Sequence, residues 1–269
     1  MDIKGKVFVV TGAGNGIGRE VTLQLLAGGA RVAGVDLNET GLKETAELAK
    51  IGDRFSIHAA SITDREVIAA LPAQVKELHG AVDGIVNVAG IIQKFVPILE
   101  LDYSEMEKVM NVNFWGTMNV VKEFLPHLLE RPEAAIVNFA SMGAIAPVPG
   151  QSVYGASKAA IVLLTEGLHA ELINTNVTPT LIYPGAIATN IAGNSGIDMG
   201  GRSTDAAAAE SKHKMTSAKD AGAVTVNAII KGKFRATIGS DAAAIDKLHR
   251  LNPKFATEMI AKKMADVAK

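Results

Sequence analysis

Apolar and polar positions follow two rhythms along the chain. Short stretches in which almost every residue is apolar or small recur at 6–11 (KVFVVT), 31–36 (RVAGVD), 54–59 (RFSIHA), 82–89 (VDGIVNVA), 134–140 (AAIVNFA), 177–184 (VTPTLIYP) and 234–239 (FRATIG). Longer segments between them carry apolar residues at helical spacing. The short stretches predict strands, and strands apolar on both faces with helix-length crossovers predict a parallel sheet covered on both sides. The expected fold class is therefore α/β, doubly wound, with about seven strands flanked by helices.

Three segments depart from simple alternation. A long helical pattern spans 102–130, and a second begins near Ser152 and is apolar around much of its circumference, so it must be covered on more than one side. Residues 190–214 are rich in Gly, Ser and Asp with weak periodicity; following directly on a strand end, they are expected to form a substrate loop. Past 240 the pattern predicts two helices broken at Pro253, anchored by Leu248, Leu251, Phe255, Met259, Ile260 and Met264.

Bulk properties narrow the class. A chain of 269 residues is accommodated by one α/β domain, read as 1–240 including the 190–214 loop, with 241–269 as a C-terminal helical extension of the same domain. The formal charge of −1 argues against a nucleic-acid footprint. The absence of cysteine removes disulfide and thiolate chemistry and suits a reducing compartment. The N-terminal stretch MDIKGKVFVVTGAG is too short in apolar residues for a signal core or a membrane span, so the expectation is a soluble cytoplasmic protein. Six histidines, His58, His79, His127, His169, His213 and His249, form no paired metal-ligand pattern, and no metal is expected.

The first strand runs into TGAGNGIGRE, which opens a helix, so Gly12, Gly14, Gly16 and Gly18 stand where a backbone must turn sharply and let a pyrophosphate approach helix N–H groups. The spacing differs from the standard G-x-G-x-x-G fingerprint, and it is the position of the cluster between strand and helix that points to a nucleotide site. Asp36 ends the second strand, where a carboxylate can accept from both hydroxyls of an adenosine ribose and would repel a 2′-phosphate. Leu37 follows it rather than an arginine, which favours NAD as cofactor over NADP. Capping of the next helix, near Asn38, is the competing role for Asp36.

Tyr154 and Lys158 are four apart at the start of a helix and so share one face. An ammonium beside a phenol favours the phenolate and lowers its pKa. That spacing alone is common. Ser141, at the end of the fifth expected strand, adds a hydroxyl facing the same crevice as the glycine loop, able to hold a carbonyl oxygen beside Tyr154.

Taken in order, TGAGNGIG at 11–18, Asp36, NVAG at 87–90, Asn113, Ser141, Tyr154 with Lys158, and PGAIAT at 184–189 resemble the classical short-chain dehydrogenase/reductase family over roughly residues 4–240. The resemblance implies a catalytic tetrad of Asn113, Ser141, Tyr154 and Lys158. In it Tyr154 exchanges a proton with the substrate oxygen during hydride transfer, Ser141 orients that oxygen, Lys158 holds the nicotinamide ribose and acidifies the phenol, and Asn113 supports a linking water. It further implies nucleotide contacts from Gly12, Gly14, Asn15, Gly16, Ile17 and Gly18, from Asp36, Leu37, Ser61 and Ile62, and from Asn87, Ala89 and Gly90. Tyr154 and Lys158, with Pro184, Gly185, Ile187 and Thr189, would meet the nicotinamide end. Two departures touch the adenine side: Ser61 stands where relatives often have an acid, and Val88 replaces the second asparagine of the usual NNAG.

The expected activity is an NAD-dependent interconversion of a secondary alcohol and a ketone. The substrate is expected to be a small apolar or neutral molecule, since the stretches 90–100 and 142–151 carry no arginine pair for a carboxylate or phosphate. A 3-oxoacyl thioester reductase and a non-catalytic NAD-binding regulator are the alternatives. The apolar helix after Lys158 and the family resemblance lead to a homodimer or homotetramer, cover by the 102–130 helix being the competing account.

Overall fold

Strand β1 (Val7–Thr11) is buried along its whole length. Phe8 and Val10 enter one apolar cluster, while Val7 and Val9 enter another, as the two-residue period of a strand requires. This strand lies inside a seven-stranded sheet in the computed structural model of the protein, which describes residues 1–197 and 215–264. Its partners are β2 (Arg31–Asp36), β3 (Phe55–Ala59), β4 (Gly84–Asn87), β5 (Ala134–Phe139), β6 (Val177–Pro184) and β9 (Arg235–Ile238), and every pairing is parallel. The order is β3-β2-β1-β4-β5-β6-β9, so each of the seven expected strands is present and the direction of winding reverses between β1 and β4. A parallel sheet opens a crevice at that reversal, outside the C-terminal ends of the strands.

Helices cover both faces. On one face α1 (Gly16–Ala27) contributes Val21, Leu25 and Leu26, and α8 (Ala218–Ile230) contributes Ala221, Val226 and Ile229. On the other face stand Ile68, Leu71 and Val75 of α3 (Arg65–His79), Val120, Phe124 and Leu128 of α5 (Thr117–Leu129), and Leu168 and Leu172 of α6 (Ser152–Leu172). Each fully buried side chain of this size contributes about 1.5–3 kcal/mol by its removal from water. Helix α2 (Glu39–Ala49) is capped by Asn38, whose Oδ1 accepts from Gly41 N. This leaves Asp36 out of the capping role.

The long helix expected over 102–130 is broken into three parts. Helix α4 (Tyr103–Met110) passes through a widened π turn at Asn111–Gly116 before α5 resumes. The α4 segment and the π turn lie against α6, giving that helix part of its cover. Its outer face still exposes Leu163 (71%), and Ile173, just past its end, is 68% exposed.

After β6 the chain forms a two-residue strand β7 (Ile187–Ala188) paired with β8 (Thr216–Ser217), and a short helix α7 (Ile191–Asn194). Most of the expected 190–214 loop, residues 198–214, lies outside the described residues. The tail forms α9 (Ser240–Leu251) and α10 (Pro253–Lys263), with Pro253 starting the second helix where its missing N–H costs nothing. Two expected anchors are corrected. Leu251 and Phe255 face solvent at 85% and 53% exposure, because Ala242, Ile245, Ala256 and Ile260 form the buried stripe instead.

Candidate active site

The reversal between β1 and β4 holds an open cleft of about 350 Å³. Its floor is the glycine loop. Gly12 and Gly16 have φ of +73° and +52°, conformations that suit glycine. A Cβ at Gly18 would overlap the Gly12 carbonyl oxygen, and one at Gly12 would lie 3.0 Å from Ala89 N. Helix α1 opens here with no acidic residue in its first turn and no side-chain cap, since Asn15 Oδ1 accepts from Asn194 Nδ2 at 2.9 Å instead. Free N–H groups at a helix start suit a phosphate, so this cradle fits the pyrophosphate of a dinucleotide.

Asp36 braces the loop and lines the cleft. Its Oδ2 accepts from Gly14 N and its Oδ1 from Asn38 N, both at 2.9 Å. Leu37, beside it, is 76% exposed. The nearby cation, Arg19, is turned away into contacts with Gly14 O, Gly41 O, Thr45 Oγ1 and the Glu44 carboxylate. Further along the wall stand Ser61 and Ile62, with Ser61 Oγ 2.8 Å from Thr63 Oγ1.

Of the expected nucleotide residues, Gly12, Asn15, Gly16, Ile17, Gly18, Asp36, Leu37, Ser61, Ile62, Ala89, Gly90 and Thr189 line this cleft. Others stand behind it. Gly14 acts through its backbone on Asp36. Asn87, at the end of β4, is buried, and its side chain donates to Asn138 Oδ1 at 2.9 Å. Pro184 pairs with Ile238, Ile187 packs against the core, and Gly185 abuts the Asp241 carboxylate, so these three shape the turn behind Thr189.

The four residues of the expected tetrad come together as two pairs, Ser141 with Tyr154 near Gly143, and Asn113 with Lys158 near Gly90 on the cleft wall. A Cβ at Gly143 would lie 3.5 Å from Ser141 Oγ and 3.6 Å from Tyr154 Cε1, which puts hydroxyl and phenol ring on either side of one backbone atom. A Cβ at Gly90 would lie 3.1 Å from Asn113 Oδ1 and 3.2 Å from Lys158 Nζ. Lys158 donates to the Phe139 carbonyl at 3.0 Å. Asn113, in the π turn, is fully buried; its amide exchanges 2.9 Å hydrogen bonds with Ile91 N and O and donates to Ser157 Oγ. A π turn redirects side chains within a helix, and here it aims Asn113 inward.

Electrostatics at the pair differ from expectation. Burial pushes the Tyr154 phenol above its ordinary pKa, and the influence opposing this comes from the Ser141 hydroxyl. Lys158 is itself lowered to about 8 by burial. Removal from water disfavours both charged forms.

Two bracing contacts were not foreseen from the sequence. Thr11 Oγ1 accepts from Val88 N (3.1 Å) and Ala89 N (3.2 Å), joining the ends of β1 and β4. Asp241 Oδ2 accepts from Ala186 N at 2.8 Å, reaching back from the tail to the 184–189 turn.

The family described as short chain dehydrogenase matches residues 6–200 of this sequence. The chain belongs to the short-chain dehydrogenase/reductase family. Members of this family similar to it include the Mycobacterium tuberculosis protein SadH, 33% identical over 270 residues, covering 99% of this chain and 96% of SadH. A short-chain dehydrogenase/reductase from Burkholderia phymatum in complex with NAD superposes with a TM-score of 0.84 at 26% identity, over 94% of this chain and 95% of that one. A short-chain dehydrogenase from Burkholderia cenocepacia in complex with NADP gives 0.80 at 26% identity, over 97% and 99%. Short-chain dehydrogenases of this kind are oxidoreductases that bind a nicotinamide cofactor. Among the described residues, no helix is long and apolar enough to cross a membrane, and no three His, Cys, Asp or Glu side chains gather to hold a metal ion.

Proposed function

We propose that the protein interconverts a secondary alcohol and a ketone with NAD as cofactor, Tyr154 serving as general acid/base. The observation that carries this reading is the meeting of Ser141 and Tyr154 around Gly143, beside the Lys158–Gly90–Asn113 contact on the wall of the nucleotide cleft. Bound in that cleft, the nicotinamide supplies or takes the hydride. The chain's own groups handle the oxygen and its proton. The Ser141 hydroxyl, already within reach of the phenol, orients the substrate oxygen and offers it a hydrogen bond. A phenol held protonated by burial is a donor ready for ketone reduction, whereas alcohol oxidation requires it to lose that proton. Lys158 keeps most of its charge at neutral pH with its pKa near 8, and it faces Gly90, where a ribose hydroxyl would lie. Asn113 fixes the 90–91 backbone opposite it.

Three features support NAD over NADP: the Asp36 carboxylate on the cleft wall, the exposed Leu37 beside it, and the engagement of Arg19 with Glu44 and backbone carbonyls. A 2′-phosphate would meet a carboxylate and, among the described residues, no free guanidinium there. An apolar alcohol or ketone is supported by the side chains next to Ser141, where Met142 and Val148 cluster with Met259 and Met264 of the tail. The uncovered Leu163 and Ile173 support self-association into a homodimer or homotetramer.

The test is a panel of secondary alcohols with NAD or NADP, following the absorbance of the reduced cofactor. Turnover with NAD at least tenfold better than with NADP is expected, with oxidation rising between pH 7 and 9 as the phenolate fraction grows and reduction not limited by loss of the phenol's proton over that range. Tyr154→Phe should lose about 10²–10⁴ in turnover while still binding NADH. Equal activity of wild type and Tyr154→Phe removes Tyr154 from the proton transfer, and preferential turnover of 3-oxoacyl thioesters assigns the site to that chemistry instead.

A further inference from the structure

The first N–H groups of a helix lack partners within it and must find them elsewhere. At the start of α6 the preceding residue, Gln151, gives no side-chain cap. The Tyr154 N–H instead donates at 2.9 Å to Oε1 of Gln93, a residue on the loop after β4. The other end of that side chain donates from Nε2 to the Gly150 carbonyl at 3.0 Å, and the Gln93 carbonyl accepts from Gln151 Nε2 at 2.6 Å. Gln93 is completely buried, so water does not compete for these bonds. Gly150, at φ +78°, would place a Cβ 3.1 Å from the Phe95 carbonyl carbon, so the two segments touch backbone to backbone.

We propose that Gln93 is a positioning residue for the proton transfer, acting by holding the backbone of Tyr154 and thereby the phenol beside Ser141. The inference rests on the reading of Tyr154 as acid/base. Two neighbours of Gln93 serve the same site: Ile91 grips Asn113 through its N–H and carbonyl, and Ile92 N donates to Ser195 Oγ at 3.0 Å. Three consecutive residues thus tie together Asn113, the segment after Thr189, and Tyr154. Lys158 sits one turn deeper and is held independently by the Phe139 carbonyl. Loss of the Gln93 cap therefore displaces the phenol with little effect on the ammonium or on the glycine cradle. Misplacement of a reacting group by a fraction of an ångström is enough to reduce turnover strongly.

Two variants separate this role from general packing. Gln93→Leu removes both bonds at nearly constant volume; Gln93→Glu keeps an acceptor for the Tyr154 N–H and, held neutral by its buried position, an O–H that can still donate to the Gly150 carbonyl. Using a secondary alcohol that the wild type oxidises, Gln93→Leu should lower kcat by about tenfold to a hundredfold, with the calorimetric Kd for NADH within about twofold of wild type. Gln93→Glu should recover a substantial part of kcat. Amide hydrogen exchange over residues 152–158 should accelerate in Gln93→Leu and stay near wild type in Gln93→Glu. Wild-type kcat and exchange in Gln93→Leu overturn the proposal. So does an equal loss of NADH binding and turnover, or a Gln93→Glu variant as impaired as Gln93→Leu. The exchange measurement needs no substrate: if no alcohol on the panel is turned over, the oxidoreductase reading of Tyr154 fails there, while exchange still decides the cap.

Discussion

Lys158 is held against its own preference for water. Its pKa falls to about 8 through burial, while an unfolded lysine titrates near ~10.4. Between those values the unfolded chain binds the proton more tightly, so stability rises with pH through that window, and the penalty is fully present below about pH 8. Lys158→Met is therefore expected to stabilise the protein at pH 7 by about 1–3 kcal/mol in urea unfolding, less than the full linkage value because the Phe139 carbonyl loses its donor. The advantage should shrink as pH rises from 8 to 10. Turnover should be lost at every pH. The i, i+4 spacing of Tyr154 and Lys158 was readable in the sequence, because helical periodicity places both on one face. The direction of the phenol's shift was not, since it follows from burial, and that burial involves segments outside its own helix, such as the one carrying Ser141 and Gly143.

Among the elements, the glycine loop was the most legible, for its spacing follows from the turn that a strand must make before a helix starts over a phosphate. Its tightest point is Gly18, where any side chain would strike the Gly12 carbonyl. Gly18→Ala should lower stability by about 1–3 kcal/mol and abolish detectable NADH binding, read by urea unfolding and calorimetry. Retained binding would mean that the loop can open without losing its cradle. The π turn at Asn111–Gly116 was invisible by contrast: apolar spacing over 102–130 reads as one helix, and a single widened turn changes that spacing by less than the pattern resolves. It is nevertheless what aims Asn113 at Ile91 and Ser157.

Across the molecule, the tail packs behind the candidate active site. Ile245 of α9 and Ile260 of α10 pack on Ala146, near Met142 and so close to Ser141. Asp241, in the first turn of α9, holds the Ala186 N–H, and its carboxylate fills the space that side chains at Gly185 and Gly239 would need. Asp241→Ala is expected to weaken NADH binding about tenfold by releasing the turn before Thr189, while Asp241→Asn, which keeps an acceptor, should remain within about twofold. Calorimetry on the two variants checks this, and equal affinities would confine Asp241 to supporting α9. Reading Leu251 and Phe255 as anchors failed because a helix presents several apolar residues and the partner surface chooses among them. Here the Ala146 surface took the stripe through Ile245 and Ile260.

The amino-acid pattern alone was sufficient for the parallel sheet, the glycine turn between β1 and α1 and the helix that carries Tyr154 and Lys158 four apart, because each depends on periodicities and backbone demands confined to a few neighbouring residues. Folding decided which groups hold those residues in working position: Gln93 beneath Tyr154, Asp241 behind the 185–186 turn, Arg19 against Glu44, and the burial that sets both pKa shifts. These partners lie tens of positions apart along the chain, and no local pattern records a contact that exists only once the sheet has brought its strand ends together.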